Sequence, residues 1–440
     1  MYKYIELAGQ LEKIIENGAY SQGAKLPSIR SICKDYNAHK STVIKALEIL
    51  VDKNLIYVVP QSGYYVLTRQ NSLYDEETDI DFATSSPNPS LFPYQDFQLC
   101  INQAIQKYQA ELFLYGTARG LNGLIDVSVK SLMKDQIFTK AKNLVITSGV
   151  QQALSLLIDM PFPSGKDTIL VEQPTYHLFL DQLQTLGKSV SYIERTHQGI
   201  DLEKLEKIFA TENIKFFYTM PRFHNPLGSS LADNQKQSLV DLAYKYDVYI
   251  VEDDFLSDYE TNPKADPLFA YDSQRRYTIY LKSYSKIIFP GLRVGVSILP
   301  DDLVDVFIKR KVYADIDSSM ISQAALEIYH RSGMFKKHAK KMNSLYKKRA
   351  DTLHGSLEKL VCHTPSIRYT KPSSKAVFTC LELDHPAPVS RLKDNNIHIM
   401  SASENFSLPH AQSHHYLRLN VTNTRQEKIE TGLEKLFQLL

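Results

Sequence analysis

Lys286 follows a predicted β-strand and is flanked by residues that could hold a charged ligand. The stretch SYSKIIFPGLRVG, residues 283–295, places Lys286 after two serines, Ser283 and Ser285, and seven residues before Arg293. The preceding residues, RRYTIYLK, have the composition of a strand, so Lys286 lies just past a strand end. Two interpretations are open at this point: a charged surface loop, or a lysine that acts as a nucleophile.

The turn after another predicted strand, NLVIT, could bind an anion. Ser148 and Gly149 end this strand, and a helix opens at Val150 and Gln151. Amides in the first turn of a helix lack intrahelical partners, and the helix dipole favours negative charge there. A glycine also permits a turn that binds nothing, so this motif indicates an anion site only in combination with the motifs at the other strand ends.

Two further strand ends supply carboxylates and an amide. After VYIV come Glu252, Asp253 and Asp254, and after FFYT the stretch MPRFHNPLG contains Asn225 before a proline. Ligands of parallel sheets bind at the carboxyl ends of the strands, so these groups are expected at one edge. Neighbouring strand residues point to opposite faces of the sheet, so Asp253 and Asp254 are not both expected to face the ligand. Asp253 is the first candidate, and Asp254 could exchange roles with it.

One ligand would use all of these groups. It would carry a phosphate, a ring nitrogen that pairs with a carboxylate, a phenolic oxygen that accepts from an amide, and a carbonyl that condenses with an amine. Pyridoxal 5′-phosphate has this chemistry and binds lysine as a Schiff base. The pattern therefore predicts that Lys286 carries the imine and that Ser283 and Arg293 hold the phosphate.

The elements around these groups predict an α/β fold. Residues 143–299 alternate strand-like and helix-like stretches, which is typical of a largely parallel sheet. The tail contains AVFTCLEL and YLRLNVT and is predicted to form a smaller α+β domain. The lysine site would therefore lie at the carboxyl edge of the larger sheet.

Residues 2–50 contain three segments with helical periodicity. The first is predicted to stop at Gly18, the second has Ser28 as an N-cap, and the third starts with the capping candidates Ser41 and Thr42. The break YNAH fits a helix-turn-helix, and LIYVVPQSGYYVL turns around residues 61–63 as a two-stranded wing would. The pattern alone is also compatible with a protein-docking module.

Composition limits the class of protein. At 440 residues the chain is expected to hold two or more domains, and 43% hydrophobic with 23% charged residues is ordinary for a soluble protein. A net charge of +2 gives no bulk attraction to nucleic acid or membrane, so such a partner would need a local patch. The four dispersed cysteines predict reduced thiols rather than a metal site, and no apolar run approaches a membrane span. We expect a cytoplasmic protein.

The N-terminal segment GAYSQGAKLPSIRSICKDYNAHKSTVIKALEIL resembles the winged helix-turn-helix domain of GntR-type transcription regulators. The resemblance implies a mainly α-helical domain whose third helix enters the major groove and whose wing reaches the minor groove. The implied DNA-binding residues are Ser28, Arg30, Lys40, Ser41, Thr42, Lys45 and Gly63. The family often has Ser-Arg where this chain has His39-Lys40, so the preferred DNA sequence does not carry over.

The remainder, about residues 80–440, resembles fold-type I aminotransferases in the motifs TSGVQQAL, VEQPTY, HNPLG, VEDDF, SYSKIIFPGLRVG and YLRLN. The whole chain resembles the MocR-type regulators, in which a GntR domain is fused to an aminotransferase-like domain. The implied organisation is a DNA-binding domain at 1–68, a linker at 69–79, and a pyridoxal-phosphate-binding effector and dimerisation domain at 80–440.

The aminotransferase resemblance implies a role for individual residues. Lys286 would carry the cofactor as an aldimine, with Asp253 at its pyridine nitrogen, Asn225 at its ring oxygen and Tyr176 stacked on the ring. Arg418 would pair with the carboxylate of an effector or substrate. The phosphate would be held by Val150, Gln151, Ser283, Arg293 and, from the partner subunit of a homodimer, Tyr115.

One departure from the family affects the predicted function. Relatives usually have tyrosine two residues after the ring-nitrogen aspartate, where this chain has Phe255. We therefore expect a transcription regulator that binds double-stranded DNA and senses an amine or amino acid by aldimine exchange at Lys286. The alternatives are an active aminotransferase with an autoregulatory DNA-binding domain, and a dimer scaffold with an empty pocket. No metal site is expected.

Overall fold

The chain divides into two compact units, Met1–Thr78 and Asp79–Leu440. A computed structural model describes residues 3–440 except 22, 54, 60–61, 68–78, 373 and 408–414. The division falls inside the segment predicted as the linker, of which residues 69–78 lie outside the described part of the chain. Each unit has its own hydrophobic core.

The first unit consists of three helices followed by an antiparallel hairpin. Its elements are α1 (Lys3–Glu16), α2 (Ile29–Asp35), α3 (Lys40–Asp52), β1 (Ile56–Val59) and β2 (Gly63–Val66). Apolar residues at helical spacing on α1 and α3 meet in the core, which includes Leu7, Leu11, Val43, Leu47 and Leu50. Ile5, expected on the same stripe, is instead 43% exposed.

The third helix begins earlier than the sequence predicted. The amides of Thr42 and Val43 both donate to the carbonyl of His39, so α3 starts at Lys40 and His39 occupies the N-cap position. Ser41 therefore lies in the first turn with an exposed side chain rather than capping the helix. The predicted cap of α2 is present, because Ser28 accepts a hydrogen bond from the Ser31 amide at 3.2 Å.

The second unit contains the remaining strands and helices. Its strands are β3 (Ile80–Asp81), β4 (Leu144–Thr147), β5 (Thr168–Gln173), β6 (Val190–Thr196), β7 (Gly199–Ile200), β8 (Ile214–Thr219), β9 (Tyr249–Asp253), β10 (Thr278–Ser283), β11 (Gly295–Ile298), β12 (Ile367–Arg368), β13 (Phe378–Leu383), β14 (Ile397–His398), β15 (Met400–Ser401) and β16 (His415–Asn420). Its α-helices are α4 (Tyr94–Tyr108), α5 (Asn122–Leu132), α6 (Val150–Asp159), α7 (His177–Thr185), α8 (Leu202–Thr211), α9 (Asp233–Tyr246), α10 (Val304–Asp315), α11 (Met320–Arg331), α12 (Met334–Val361), α13 (Val389–Asp394) and α14 (Ile429–Leu439).

The large sheet has the order β4-β11-β10-β9-β8-β5-β6-β7. The central strands pair in parallel, and β11 is antiparallel to both of its neighbours, so β4 runs in the same direction as β10. The carboxyl ends of β4, β8, β9 and β10 therefore lie at one edge. All residues of β4, β8 and β9 are buried, as expected for a sheet covered on both faces. The predicted α/β fold is confirmed.

The tail forms a smaller antiparallel sheet of order β12-β13-β16-β15. The long helix α12 leads into it, and α14 closes the chain. The first strand of the unit, β3, pairs in parallel with β14, so the residues that follow the linker are bonded to the tail. Within the described residues, no helix has the length and apolar character needed to cross a membrane.

Candidate functional site

Lys286 lies beyond the end of β10, where its amine contacts a segment that follows β3. Its Nζ donates to the backbone carbonyl and to the hydroxyl oxygen of Ser85, both at 3.0 Å. Burial, followed by the positive charge of Arg418, lowers the pKa of Lys286 to about 8, while Asp253 opposes the shift. A lysine with this pKa is partly neutral near physiological pH and is therefore a competent nucleophile.

Asp253 ends β9 with one carboxylate oxygen unused. Its Oδ2 accepts from the hydroxyl of Tyr218 at 2.8 Å, whereas its buried Oδ1 has no hydrogen-bond partner in the described part of the chain. Burial raises the pKa of Asp253 to about 7, although the hydrogen bond from Tyr218 and the charge of Lys286 oppose the shift. An oxygen of this kind fits a protonated ring nitrogen.

The neighbouring carboxylate, Asp254, is already fully engaged. It accepts from Arg222, which approaches through Nε at 3.1 Å, and from the hydroxyl of Tyr280 at 2.7 Å. Strand alternation turns Asp254 toward this buried ion pair and away from Lys286. Of the two alternatives left open by the sequence, the geometry thus favours Asp253.

A turn rich in donors lies at the end of β4. Gly149 occupies the N-cap of α6 with φ +84°, and a Cβ at this position would lie 3.2 Å from Nη2 of Arg293. That same nitrogen donates to the carbonyl of Ser148 at 2.8 Å. The amides of Val150 and Gln151 are in the first turn of α6 and have no intrahelical acceptor. These donors form a cradle suited to a phosphate.

The register of three strands places Ser283 at the level of this turn. Ser283 pairs with Gly295 on β11, and Gly295 in turn pairs with Thr147 at the end of β4. A Cβ at Gly295 would lie 2.9 Å from the backbone carbonyl carbon of Gly149. The absence of a side chain at Gly295 thus allows β10 and its serine to approach the turn.

Tyr176, Asn225 and Arg418 belong to other elements and interact with Asp253, Arg418 and Lys286, respectively. Burial raises the pKa of Tyr176 to about 12, with a further contribution from the Asp253 charge. Arg418 on β16 donates to the side-chain oxygen of Asn225 at 3.5 Å and to the carbonyl of Ala83 at 3.0 Å. Its buried Nε has no partner among the described residues.

Some predicted residues lie elsewhere. Tyr115 is 81% exposed and adjoins Phe113 and Leu114, which are 70% and 67% exposed, so within one chain it contributes nothing to the lysine site. The predicted DNA-binding residues are in the first unit, where Arg30, Lys40, Ser41 and Lys45 are exposed. The Lys45 amine lies 5.5 Å from the ring centre of Tyr4. Gly63 opens β2 with φ +130°.

Sequence reasoning missed three contributors to the site. Ser85 and the carbonyl of Ala83 come from FATSSP, a serine- and proline-rich stretch without periodicity, and they contact residues 201 and 335 positions away. Tyr218 was assigned only to a buried strand, FFYT. Phe255 packs with its ring centre 6.4 Å from that of Phe378 and has no hydroxyl to offer the site.

Two family models match the chain. Residues 90–436 match the class I and II aminotransferases, and residues 3–66 match the bacterial regulatory proteins of the gntR family. An uncharacterized HTH-type transcriptional regulator of Bacillus subtilis, YcxD, is 48% identical over the full length of both chains. The chain belongs to the MocR-type regulators of the GntR family.

Some other relatives of this MocR-type chain are aminotransferases. An aromatic-amino-acid aminotransferase of Thermococcus litoralis is 27% identical over 82% of this chain and 88% of its own. The crystal structure of Pyrococcus horikoshii kynurenine aminotransferase has a TM-score of 0.74 at 26% identity and covers 82% of this chain and 90% of that chain. The fold family depends on pyridoxal phosphate, and the unpaired Asp253 oxygen and the glycine cradle fit this cofactor.

The rate of cofactor loading should depend on pH through Lys286. Only the neutral amine attacks an aldehyde, so loading should accelerate as the pH rises and level off above about 8. Arg418→Leu removes a neighbouring positive charge, which raises the pKa of Lys286 and moves the midpoint to higher pH. Stopped-flow absorbance after mixing with pyridoxal phosphate measures this. Arg368→Leu, an exposed arginine of the same tail sheet, should leave the midpoint unchanged; equal midpoints in all three proteins would contradict the assignment.

Asp253→Asn should weaken cofactor binding without weakening the fold. The amide cannot supply a charged acceptor to the ring nitrogen, a loss of about 1.5–3 kcal/mol, or roughly 10–150-fold in affinity. Because the pKa of Asp253 is raised on folding, its charge lowers stability as the pH rises from about 4 to 7, and the cost is fully present at pH 8. The cofactor-free variant should therefore unfold at or above the wild-type temperature at pH 8. Absorbance titration measures the affinity for the cofactor, and thermal unfolding measures the stability. A variant that binds the cofactor as tightly as the wild type would show that Asp253 is not part of the site.

Proposed function

We propose that this protein is a transcription regulator that binds pyridoxal phosphate at Lys286 and senses an amine or amino acid through it. The observation that carries the proposal is the pairing, within one site, of a lysine amine of lowered pKa with a buried, half-satisfied carboxylate. That site belongs to a chain whose other unit is a GntR-type DNA-binding domain. A regulator bound to bacterial DNA acts in the cytoplasm.

Each residue of the site has a proposed task. Asp253 would keep a proton on the ring nitrogen, and the Gly149 turn with Arg293 and Ser283 would hold the phosphate. Asn225 would orient the ring oxygen, and Tyr176 would cover one face of the ring. When bound, pyridoxal phosphate supplies an aldehyde carbon that condenses with primary amines, so Lys286 and an effector amine compete for it.

Arg418 gives the site its preference for an effector with a carboxylate. Arg418 is 5% exposed, and burial lowers its pKa because the buried guanidinium loses its contacts with water. An anion bound to the guanidinium would stabilise this buried charge. Its present acceptors, a neutral carbonyl and an amide oxygen, are weaker partners than a carboxylate, which can accept two parallel hydrogen bonds from a guanidinium. We therefore propose an amino acid as the effector class.

The proposed assembly is a homodimer. Phe113, Leu114 and Tyr115 form an exposed apolar group, although large apolar side chains this open are costly in a monomer. In a dimer they would be covered, and Tyr115 would reach the phosphate of the partner subunit. Two DNA-binding domains would then contact two half-sites, with α3 in the major groove.

An active aminotransferase is the second candidate function. It is favoured by the presence of Lys286, Asp253 and Arg418 in one site and by the similarity to aminotransferases. It is opposed by Phe255, because a residue without a hydroxyl cannot hydrogen-bond the ring oxygen and control proton movement at the neighbouring imine nitrogen. The two functions differ in what happens after an amino acid has bound.

An absorbance titration should separate the two functions. Purified full-length protein loaded with pyridoxal phosphate should show a visible band that a subset of α-, β- and γ-amino acids shifts to a new stable position. Lys286→Ala should lose the original band and any effector-dependent change in DNA affinity. A shift that continues to the pyridoxamine form and is reversed by a keto acid would instead identify a working transaminase.

Lys40→Ala should weaken binding to an operator selected from random duplexes by the full-length protein. Loss of a groove or phosphate contact typically costs about 1–3 kcal/mol, or roughly 5–150-fold, and a lost phosphate contact lowers the salt dependence by about one counterion. Lys53→Ala removes the same charge from the other end of α3, where it is ion-paired with Glu12, and should have little effect. Fluorescence anisotropy at several salt concentrations measures both. Equal affinities for the two variants would place the interface elsewhere.

A further inference from the structure

The segment of residues 79–85, which we call the strap, leads from the interdomain boundary directly into the lysine site. It starts at Asp79, the first residue of the second unit, passes through β3, and ends at Ser85 against the amine of Lys286. Only a few residues therefore separate the linker from the group that is proposed to carry the cofactor. The strap is built from two parts with different kinds of contact.

The first part of the strap is fixed by backbone bonds and a capping carboxylate. The amide of Ile80 donates to the Asn396 carbonyl at 2.8 Å, and the Phe82 carbonyl accepts from the Asn420 amide at 2.9 Å. The Phe82 side chain is completely buried. The Asp81 carboxylate accepts from the amides of Ala83 and Thr84, each at 2.9 Å. This part belongs to the tail subdomain and moves only with it.

The second part of the strap is held by two cations. Lys286 donates to both oxygens of Ser85 at 3.0 Å, and Arg418 donates to the Ala83 carbonyl at 3.0 Å. These are the two groups that the proposed function assigns to the cofactor aldehyde and to the effector carboxylate. Each strap contact therefore competes with a ligand for the same donor.

Ligand binding changes the donors that the strap needs. When neutral Lys286 forms a C=N bond with the aldehyde carbon, both of its amine hydrogens leave with the aldehyde oxygen as water. The nitrogen then keeps at most one hydrogen, which a subsequent protonation supplies, so it cannot serve both oxygens of Ser85. A carboxylate on Arg418 is a stronger acceptor than the Ala83 carbonyl and displaces it.

The geometry points to a relay in which the strap transmits the occupancy of the site to the linker and thereby to the DNA-binding domain. Cofactor loading releases Ser85 and effector binding releases Ala83, so the tail subdomain can move together with the first part of the strap and carry the chain that enters the linker. The relay rests on the proposed function, because it needs a cofactor at Lys286 and a DNA-bound first unit. It adds the route by which the two are coupled.

Hydrogen–deuterium exchange on the full-length protein tests the relay with three probes. Pyridoxal phosphate consumes the Lys286 amine, and N-(5′-phosphopyridoxyl)-L-alanine offers a carboxylate to Arg418. Pyridoxamine phosphate fills the same site and does neither, so it is the matched control. We expect the strap amides to exchange about threefold or more faster with the first two probes than with the control. Equal exchange in all three loaded forms, with binding verified by absorbance, would overturn the relay.

A pair of variants links the strap to DNA binding. Asp81→Ala removes the acceptor of the Ala83 and Thr84 amides and of the Asn423 side chain, so the second part of the strap should no longer move the first part, whatever the ligand. Its absorbance with pyridoxal phosphate should remain, while operator affinity should become the same with all three probes. Asn88→Ala removes a similar cap from the next turn, at Ser90, and should keep the wild-type differences.

The outcomes distinguish the relay from the proposed function. Wild-type protein that never develops the visible band would refute cofactor binding itself. A visible band and ligand-dependent operator affinity combined with unchanged strap exchange would refute the relay alone. If Asp81→Ala does not fold, the exchange comparison in the wild-type protein still decides.

Discussion

The close approach of two backbones, at Gly149 and Gly295, is the constraint on which the site depends. A Cβ at Gly295 would lie 2.9 Å from the Gly149 carbonyl carbon, which no side chain can tolerate without displacing one of the strands. This contact sets the end of β4 beside β11 and, through the register of β11, beside β10. The anion cradle and the lysine strand thus approach each other closely because Gly295 has no side chain.

The two adjacent carboxylates at the end of β9 illustrate how the fold distributes charge. Asp254 is neutralised by Arg222 and bonded by Tyr280 in a buried network that anchors the strand end. Asp253 faces the other way with a single protein donor and a pKa raised to about 7 by burial. The first carboxylate supports the structure, and the second retains unsatisfied bonding capacity that a ligand can use.

Much of this arrangement can be predicted from short stretches of the sequence. The strands from NLVIT to GVSILP were predictable from short apolar runs, and the groups at their ends were predictable because a parallel sheet gathers its carboxyl ends. The contact of Ser85 with Lys286 was not predictable from the sequence, because it joins a loop without periodicity to a strand end 201 residues away. The predicted start of α3, at a cap formed by Ser41 or Thr42, was wrong. The first hydrogen bonds of the helix are accepted by the His39 carbonyl rather than by a capping side chain.

The pairing of β3 with β14 has a consequence for how the molecule is made. Residues 80 and 397 become neighbours in the folded chain, yet at about 5–20 residues per second a ribosome needs roughly 15–60 s to synthesise the residues between them. The first unit, whose core residues all lie between Leu7 and Val66, can fold long before that. During each round of synthesis a DNA-reading domain therefore exists for some time before the sensor that is to govern it.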